Sequence, residues 1–210
     1  MPTIQRDFSI FYFRYYFYNI VGVQFFLGVK CCGGAMKVGD FRVWSVSRSG
    51  RNNLFHLGAA CLGEFIENYE TGRVYDFRAY RDRIIAKNLL WKHGQIDAEK
   101  LFWLVASGER RRSSRVGWHI LFNLCNQELE SYLATGLFQT FNEILFSRYE
   151  LPMISSLWHP QLGSEQSFFH VKAIVFLRDL SLDHSTYQPK SLLTRSELWR
   201  YLVENRILFE

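Results

Sequence analysis

Residues Gln127 to Phe146 read QELESYLATGLFQTFNEILF. Leu129, Leu133, Leu137, Phe141 and Leu145 recur every four residues, with Tyr132 and Ile144 beside them. In a helix this spacing puts the apolar set on one face, while Glu128, Glu130, Gln139 and Asn142 can face elsewhere. Burial of five such side chains contributes roughly 1.5–3 kcal/mol each. No other segment carries so regular a stripe. This helix is therefore expected to be the one on which the others pack.

Downstream, Leu151-Pro152 stops the helix and Trp158-His159-Pro160 makes a second break. Ser164 is read as opening a helix through Phe168, Val171, Val175 and Phe176. A further helical run holds Leu177 and Leu180 in the core and turns Arg178 and Asp179 outward. Thr194-Arg-Ser-Glu197 is a capping box for the last helix. Upstream, Ser114 can cap a helix carrying Val116, Ile120, Leu121 and Leu124, and Asp97 one through Leu101, Phe102, Leu104 and Val105. Asp76 opens a helix through Phe77, Tyr80, Ile84 and Leu89 to Trp91, closed by His93-Gly94. Leu54, Leu57, Cys61, Leu62, Phe65, Ile66 and Tyr69 mark one more helix, ending near Gly72.

Before Leu54 the pattern changes. Phe8 to Val29 is almost wholly apolar and aromatic, but Arg14, Asn19, Gly22 and Gln24 interrupt it. Its residue types favour two strands, Phe8–Tyr18 and Val21–Val29, over a membrane-inserted segment. Val38 to Val46 reads as another strand. The expected fold class is thus α+β and predominantly α-helical. A small aromatic-rich β portion over residues 1–53 precedes about seven packed helices over residues 54–210, as one compact domain.

A chain of 210 residues with 48% hydrophobic and 21% charged residues can bury a real core and is not disordered. Its net charge of +5 is too small to favour nucleic acid by itself. Cys31, Cys32, Cys61 and Cys125 have no metal-ligand spacing and read as reduced thiols of a cytosolic or nuclear protein. The six histidines form no metal or catalytic motif, and no Gly-x-Ser-x-Gly elbow occurs. No metal, no cofactor and no catalysis are expected from these patterns, which suit a binding module.

Three landmarks occur in order: Leu62-Gly-Glu-Phe-Ile-Glu-Asn-Tyr69 followed by Leu90-Trp91-Lys92-His93-Gly94 and Phe102-Trp103; then Tyr149-Glu-Leu-Pro-Met-Ile154; then Leu177-Arg-Asp-Leu-Ser-Leu-Asp-His184 with Tyr187, Ser191 and Leu192. Together they resemble the nonstructural NSs proteins of phenuiviruses, those of bandaviruses and uukuviruses above all. The resemblance implies a viral accessory protein of the host cytoplasm or nucleus. Such a protein antagonises interferon induction or signalling by binding host innate-immune signalling or transcription proteins, and self-associates into inclusion bodies. Candidate partner contacts are Trp91 and His93 in the turn, Arg110, Arg111 and Arg112 in the run Gly108 to Arg115, and Arg178 and His184 in the third landmark. Two alternatives stand beside this. One is a nucleic-acid-binding silencing suppressor using that basic run and the aromatics; the other is a membrane-attached protein using Phe8 to Val29.

Overall fold

The fold is that of a computed structural model, which describes residues 29–31, 34–36, 42–49, 53–94, 97–109, 111–124, 130–159, 169–179 and 191–205. In chain order its elements are β1 (Val29–Cys31), β2 (Gly34–Met36), β3 (Arg42–Ser47), α1 (Leu54–Leu62), β4 (Phe65–Asn68), β5 (Arg73–Asp76), a 3-10 helix (Arg78–Arg83), β6 (Ile84–Leu90), α2 (Ala98–Gly108), β7 (Arg115–Asn123), α3 (Ser131–Tyr149), β8 (Met153–Trp158), β9 (His170–Phe176) and α4 (Arg195–Glu204). The centre is a five-stranded sheet in the order β3-β7-β9-β8-β6, antiparallel at every step. Two small hairpins, β1-β2 and β4-β5, stand apart from it.

Both faces of the large sheet are covered. Trp118, Ile120 and Phe122 of β7, Met153 and Leu157 of β8, and Val171, Ala173 and Val175 of β9 face Ala134, Phe138, Phe141 and Leu145 of α3 and Leu198 and Leu202 of α4. On the other face Ile154, Ile174 and Phe176 meet Leu54, Ala59 and Leu62 of α1 and Leu101, Phe102 and Val105 of α2. Strands buried on two sides lose the polar alternation of a half-solvated sheet. β8 is buried along its whole length.

The expectation of a mainly helical protein with about seven helices is corrected by this architecture. Among the described residues there are four α-helices and one 3-10 helix, and the core is organised by the sheet. The helix expected from Leu54 to Tyr69 breaks at Gly63, which has φ 63° and caps α1; Phe65–Asn68 then turns into β4. Asp76 to Trp91 is mostly the 3-10 helix and β6, and Val116 to Leu121 lies in β7 rather than a helix. Val171 to Phe176 is β9, the middle strand of the sheet, where a helix from Ser164 was expected. The opening stretch does form a helix, Ser131–Tyr149, but it covers one face of the sheet. Asp97 caps α2, and Thr194 with Glu197 forms the capping box of α4. The strands expected within Phe8–Val29 lie almost wholly outside the described residues. No helix among the described residues is long and apolar enough to cross a membrane.

Candidate functional site

The register of the central strands collects polar groups on the α1/α2 face. Lys172 of β9 sits opposite Ser156 of β8 and Leu121 of β7; His170 sits opposite Trp158 and Asn123. One step towards the sheet edge, Trp44 of β3 pairs with His119 of β7. Side chains two apart on a strand share a face, so His170 and Lys172 project together, as do Ser156 and Trp158. The helix α1 adds Cys61 from above.

Trp158 is the anchor of this patch. Its buried indole donates from Nε1 to Ser156 Oγ at 2.8 Å. The Ser156 hydroxyl also lies 3.3 Å from Cys61 Sγ, and that thiol donates to the Lys172 carbonyl at 3.4 Å. His170 stacks on Trp158 with centroids 5.7 Å apart and planes 21° from parallel. The Lys172 ammonium is 3.4 Å from the centroid of the same ring, and the Arg83 guanidinium carbon 5.9 Å. Arg83 is held at that spot because its carbonyl accepts from the His159 backbone N–H at 2.8 Å. Two cations therefore share one indole. Among the described residues neither forms an ion pair with a carboxylate.

The electrostatics follow from that crowding. Burial pushes the Lys172 ammonium down to about 8; nearby Cys61 opposes that shift, and Arg83, the smallest of the three effects, adds to it. Burial likewise raises the Cys61 thiol to about 11, so it stays protonated at neutral pH. Burial, with Lys172 nearby, lowers His119 to about 4, so its ring is neutral. Neutral His119 stacks on half-buried Trp44 at 5.3 Å and 18°. The site thus holds a partly desolvated positive charge, flat aromatic surfaces, a hydroxyl and a buried thiol.

The residues singled out by sequence fall elsewhere. Trp91 is buried after β6 and donates from Nε1 to Asp179 Oδ1 at 3.1 Å. Lys92 pairs with the same carboxylate, and His93 Nε2 lies 3.8 Å from it, edge-on to the Trp91 ring. Arg178 donates from Nε to Oε1 of buried Glu109 at 2.8 Å. Trp91, His93 and Arg178 are thus gathered around the chain exit from β9, with Asp179 turned inward rather than outward. Arg111 and Arg112 are exposed in the turn before β7, where the Arg112 carbonyl accepts from the Ser49 N–H at 3.0 Å. Arg110 and His184 lie outside the described residues. The sequence reading missed Lys172, His170, Trp158, Arg83, Trp44 and His119. The available signal was the period-two set Phe168-Phe-His-Val-Lys172, in which alternate positions are apolar, His and Lys.

No protein-family model and no curated protein sequence matches the chain. Solved structures do match. One, described as the molecular basis of vancomycin resistance transfer in Staphylococcus aureus, shares 20% identity at a TM-score of 0.61, covering 80% of this chain and 91% of its own. Two more are the conjugative relaxase TrwC in complex with oriT DNA, in a metal-bound and a copper-bound form. Each has a TM-score of 0.48 and covers 80% of this chain; the first is 13% identical with 67% of its own chain covered, the second 15% with 68%.

The fold shared with the first of these overturns the resemblance to phenuivirus NSs proteins, which rested on short runs whose local structure is different. Leu62 to Tyr69 is a helix end and a strand, and Leu177 leaves a strand rather than riding on a helix. The interferon-antagonist reading, its host signalling partners and its viral setting are corrected with it. So is the expectation of no catalysis, which rested on histidines scattered in sequence. The sheet brings His170, Lys172, Ser156 and Trp158 onto one patch. A resident metal does not fit the described residues: no three His, Cys, Asp or Glu side chains converge, and Lys172 places a cation within the patch.

Proposed function

We propose that the chain binds single-stranded nucleic acid on the α1/α2 face of its sheet. Lys172 and Arg83 receive a backbone phosphate, and the half-buried rings of Trp44 and His170 meet the bases. The observation that carries this reading is the pair of cations over Trp158 without a carboxylate partner among the described residues. A desolvated ammonium beside a guanidinium is disfavoured unless an anion joins them. Phosphate supplies that anion, and unpaired bases supply faces that stack on rings. The residues involved are not the exposed arginines before β7 but a half-buried patch assembled by the sheet.

The test is fluorescence anisotropy with labelled single-stranded and duplex oligonucleotides over a series of salt concentrations. The expected result is tighter binding of the single strand, weakening as salt rises. Lys172→Gln should lower the affinity evenly across sequences and flatten the log–log salt slope by about 0.7, the value of one phosphate contact on a single strand. Absence of binding at low salt sinks the reading. The same two cations are placed to stabilise charge that grows on a phosphate during strand cleavage. Incubating the labelled strand with the protein shows whether cleaved product accumulates, and its loss in Lys172→Gln would tie that chemistry to the patch.

A further inference from the structure

A second cationic recess lies across the edge of the sheet from the Lys172 patch. It is a cavity of about 390 Å³ lined by Val43, Trp44, Ser45, Arg115, Trp118 and Arg195. Among the described residues the lining holds two guanidinium groups and no carboxylate. Arg115 lies over the Trp118 ring, 4.4 Å from its centroid. That indole is itself fixed, because Trp118 Nε1 donates to the Leu193 carbonyl at 2.9 Å. Arg195 is the first residue of α4, exposed and without a carboxylate partner among the described residues. Val43, Ser45 and Trp118 belong to the α3/α4 face, opposite to Lys172. Trp44 belongs to both places: it lines this cavity and stacks on His119 of the other face.

The strand order supplies the connection. Among the described residues β3 is an edge strand, and β9 lies two strands inward. At about 4.8 Å per strand, Lys172 is roughly 10 Å from that edge. A flexible chain of phosphates that leaves Lys172 and Arg83 can cross Leu121, pass Trp44 and turn over β3. Just beyond the edge it meets Arg115 and Arg195.

We propose that the Arg115–Arg195 cavity takes a second phosphate of the same single strand, which wraps over the β3 edge with Trp44 at the turn. The proposal rests on the nucleic-acid reading and extends it from one contact to a path. Arginine suits the role, since its planar fork meets a phosphate with paired donors. Arg115 lies on the Trp118 ring in the wall of that cavity.

The test compares oligothymidylates of about 4 and about 16 nucleotides, the range over which one such surface is filled, bound to the full chain and to the Arg115→Gln/Arg195→Gln double variant. Wild-type protein should bind the long strand more tightly. The double variant should lose about tenfold on the long strand, with a salt slope flatter by about 0.7, and bind the short strand as wild type does. Arg195→Glu alone, at an exposed position without an ion pair among the described residues, should move the long strand in the same direction. Equal binding of the long strand by wild type and both variants overturns the path. So does an equal loss on short and long strands, which would mean one shared site. If wild type binds neither strand, the underlying nucleic-acid reading fails, and the path with it.

Discussion

Lys172 shows how one side chain can be a cost to the fold and an asset to the site. Its four-carbon stem has apolar neighbours while its ammonium is held against an indole and near a guanidinium. A lysine lowered to about 8 from its ordinary 10.5 works against folding wherever it must be charged. The unfolded chain holds the proton more tightly, so stability rises as pH climbs through the folded value towards the unfolded one. Replacing Lys172 by Met keeps the stem and removes the charge. Lys172→Met should therefore raise Tm at pH 7, and its lead over wild type should shrink between pH 7 and pH 9, as followed by differential scanning calorimetry. Oligonucleotide binding by wild type should weaken over the same interval, because an anion prefers the protonated amine. A variant that melts below wild type at pH 7 would show that the ammonium is already compensated. Gly117 is a residue of the opposite kind, fixed by space alone. A Cβ there would lie 2.7 Å from the Val175 carbonyl oxygen of the neighbouring strand. Gly117→Ala should cost about 1–3 kcal/mol, the range of overpacking, read from the midpoint of urea unfolding.

At the scale of elements, the places where sequence and structure part have one physical cause. Spacing of four residues is common to a helix, where it is close to one turn, and to a strand, where it is two full periods. Val116 and Ile120 in β7, and Val171 and Val175 in β9, satisfy both. The tie-breakers in those segments are β-branched and aromatic side chains: Val116, Trp118, Ile120 and Phe122 alternate strictly, and all four are buried. Burial on two faces hid the polar alternation that marks an exposed strand, so β9 looked like core helix. Two helix starts, at Asp97 and Thr194, were legible because a cap is local chemistry, whereas Ser114, read as a cap, precedes β7. Asp97 accepts from the Lys100 N–H at 3.0 Å, and Thr194 Oγ1 from the Glu197 N–H at 3.2 Å. The site was not legible for the same reason the strands were not. His170 and Lys172 signify little until β8 places Trp158 and Ser156 beside them and the 3-10 helix ends at Arg83. Thr194→Ala should cost about 1 kcal/mol through loss of the cap, measured by chemical denaturation. Oligonucleotide affinity at the Lys172 patch should stay as it was, since α4 covers the other face.

For the whole molecule, an antiparallel sheet between two helical layers separates a deeply buried centre from an edge with less cover. β9 is paired on both sides, and its flanks are buried under α1 and α2 on one face and α3 and α4 on the other. Among the described residues β3 has one partner strand, β7. Amide exchange from β9 requires opening of the core, whereas β3 can open at the edge at much smaller cost. Hydrogen exchange followed by mass spectrometry should therefore find peptides over His170–Phe176 slowest and those over Arg42–Ser47 faster. Addition of a saturating long oligothymidylate should slow exchange in Arg42–Ser47 and at the start of α4, while His170–Phe176, already protected, changes little. A strand that contacted only the Lys172 patch would leave the start of α4 unchanged. Protection confined to the turn containing Arg111 and Arg112 would place the ligand on that exposed basic turn and remove the sheet face from the interface altogether.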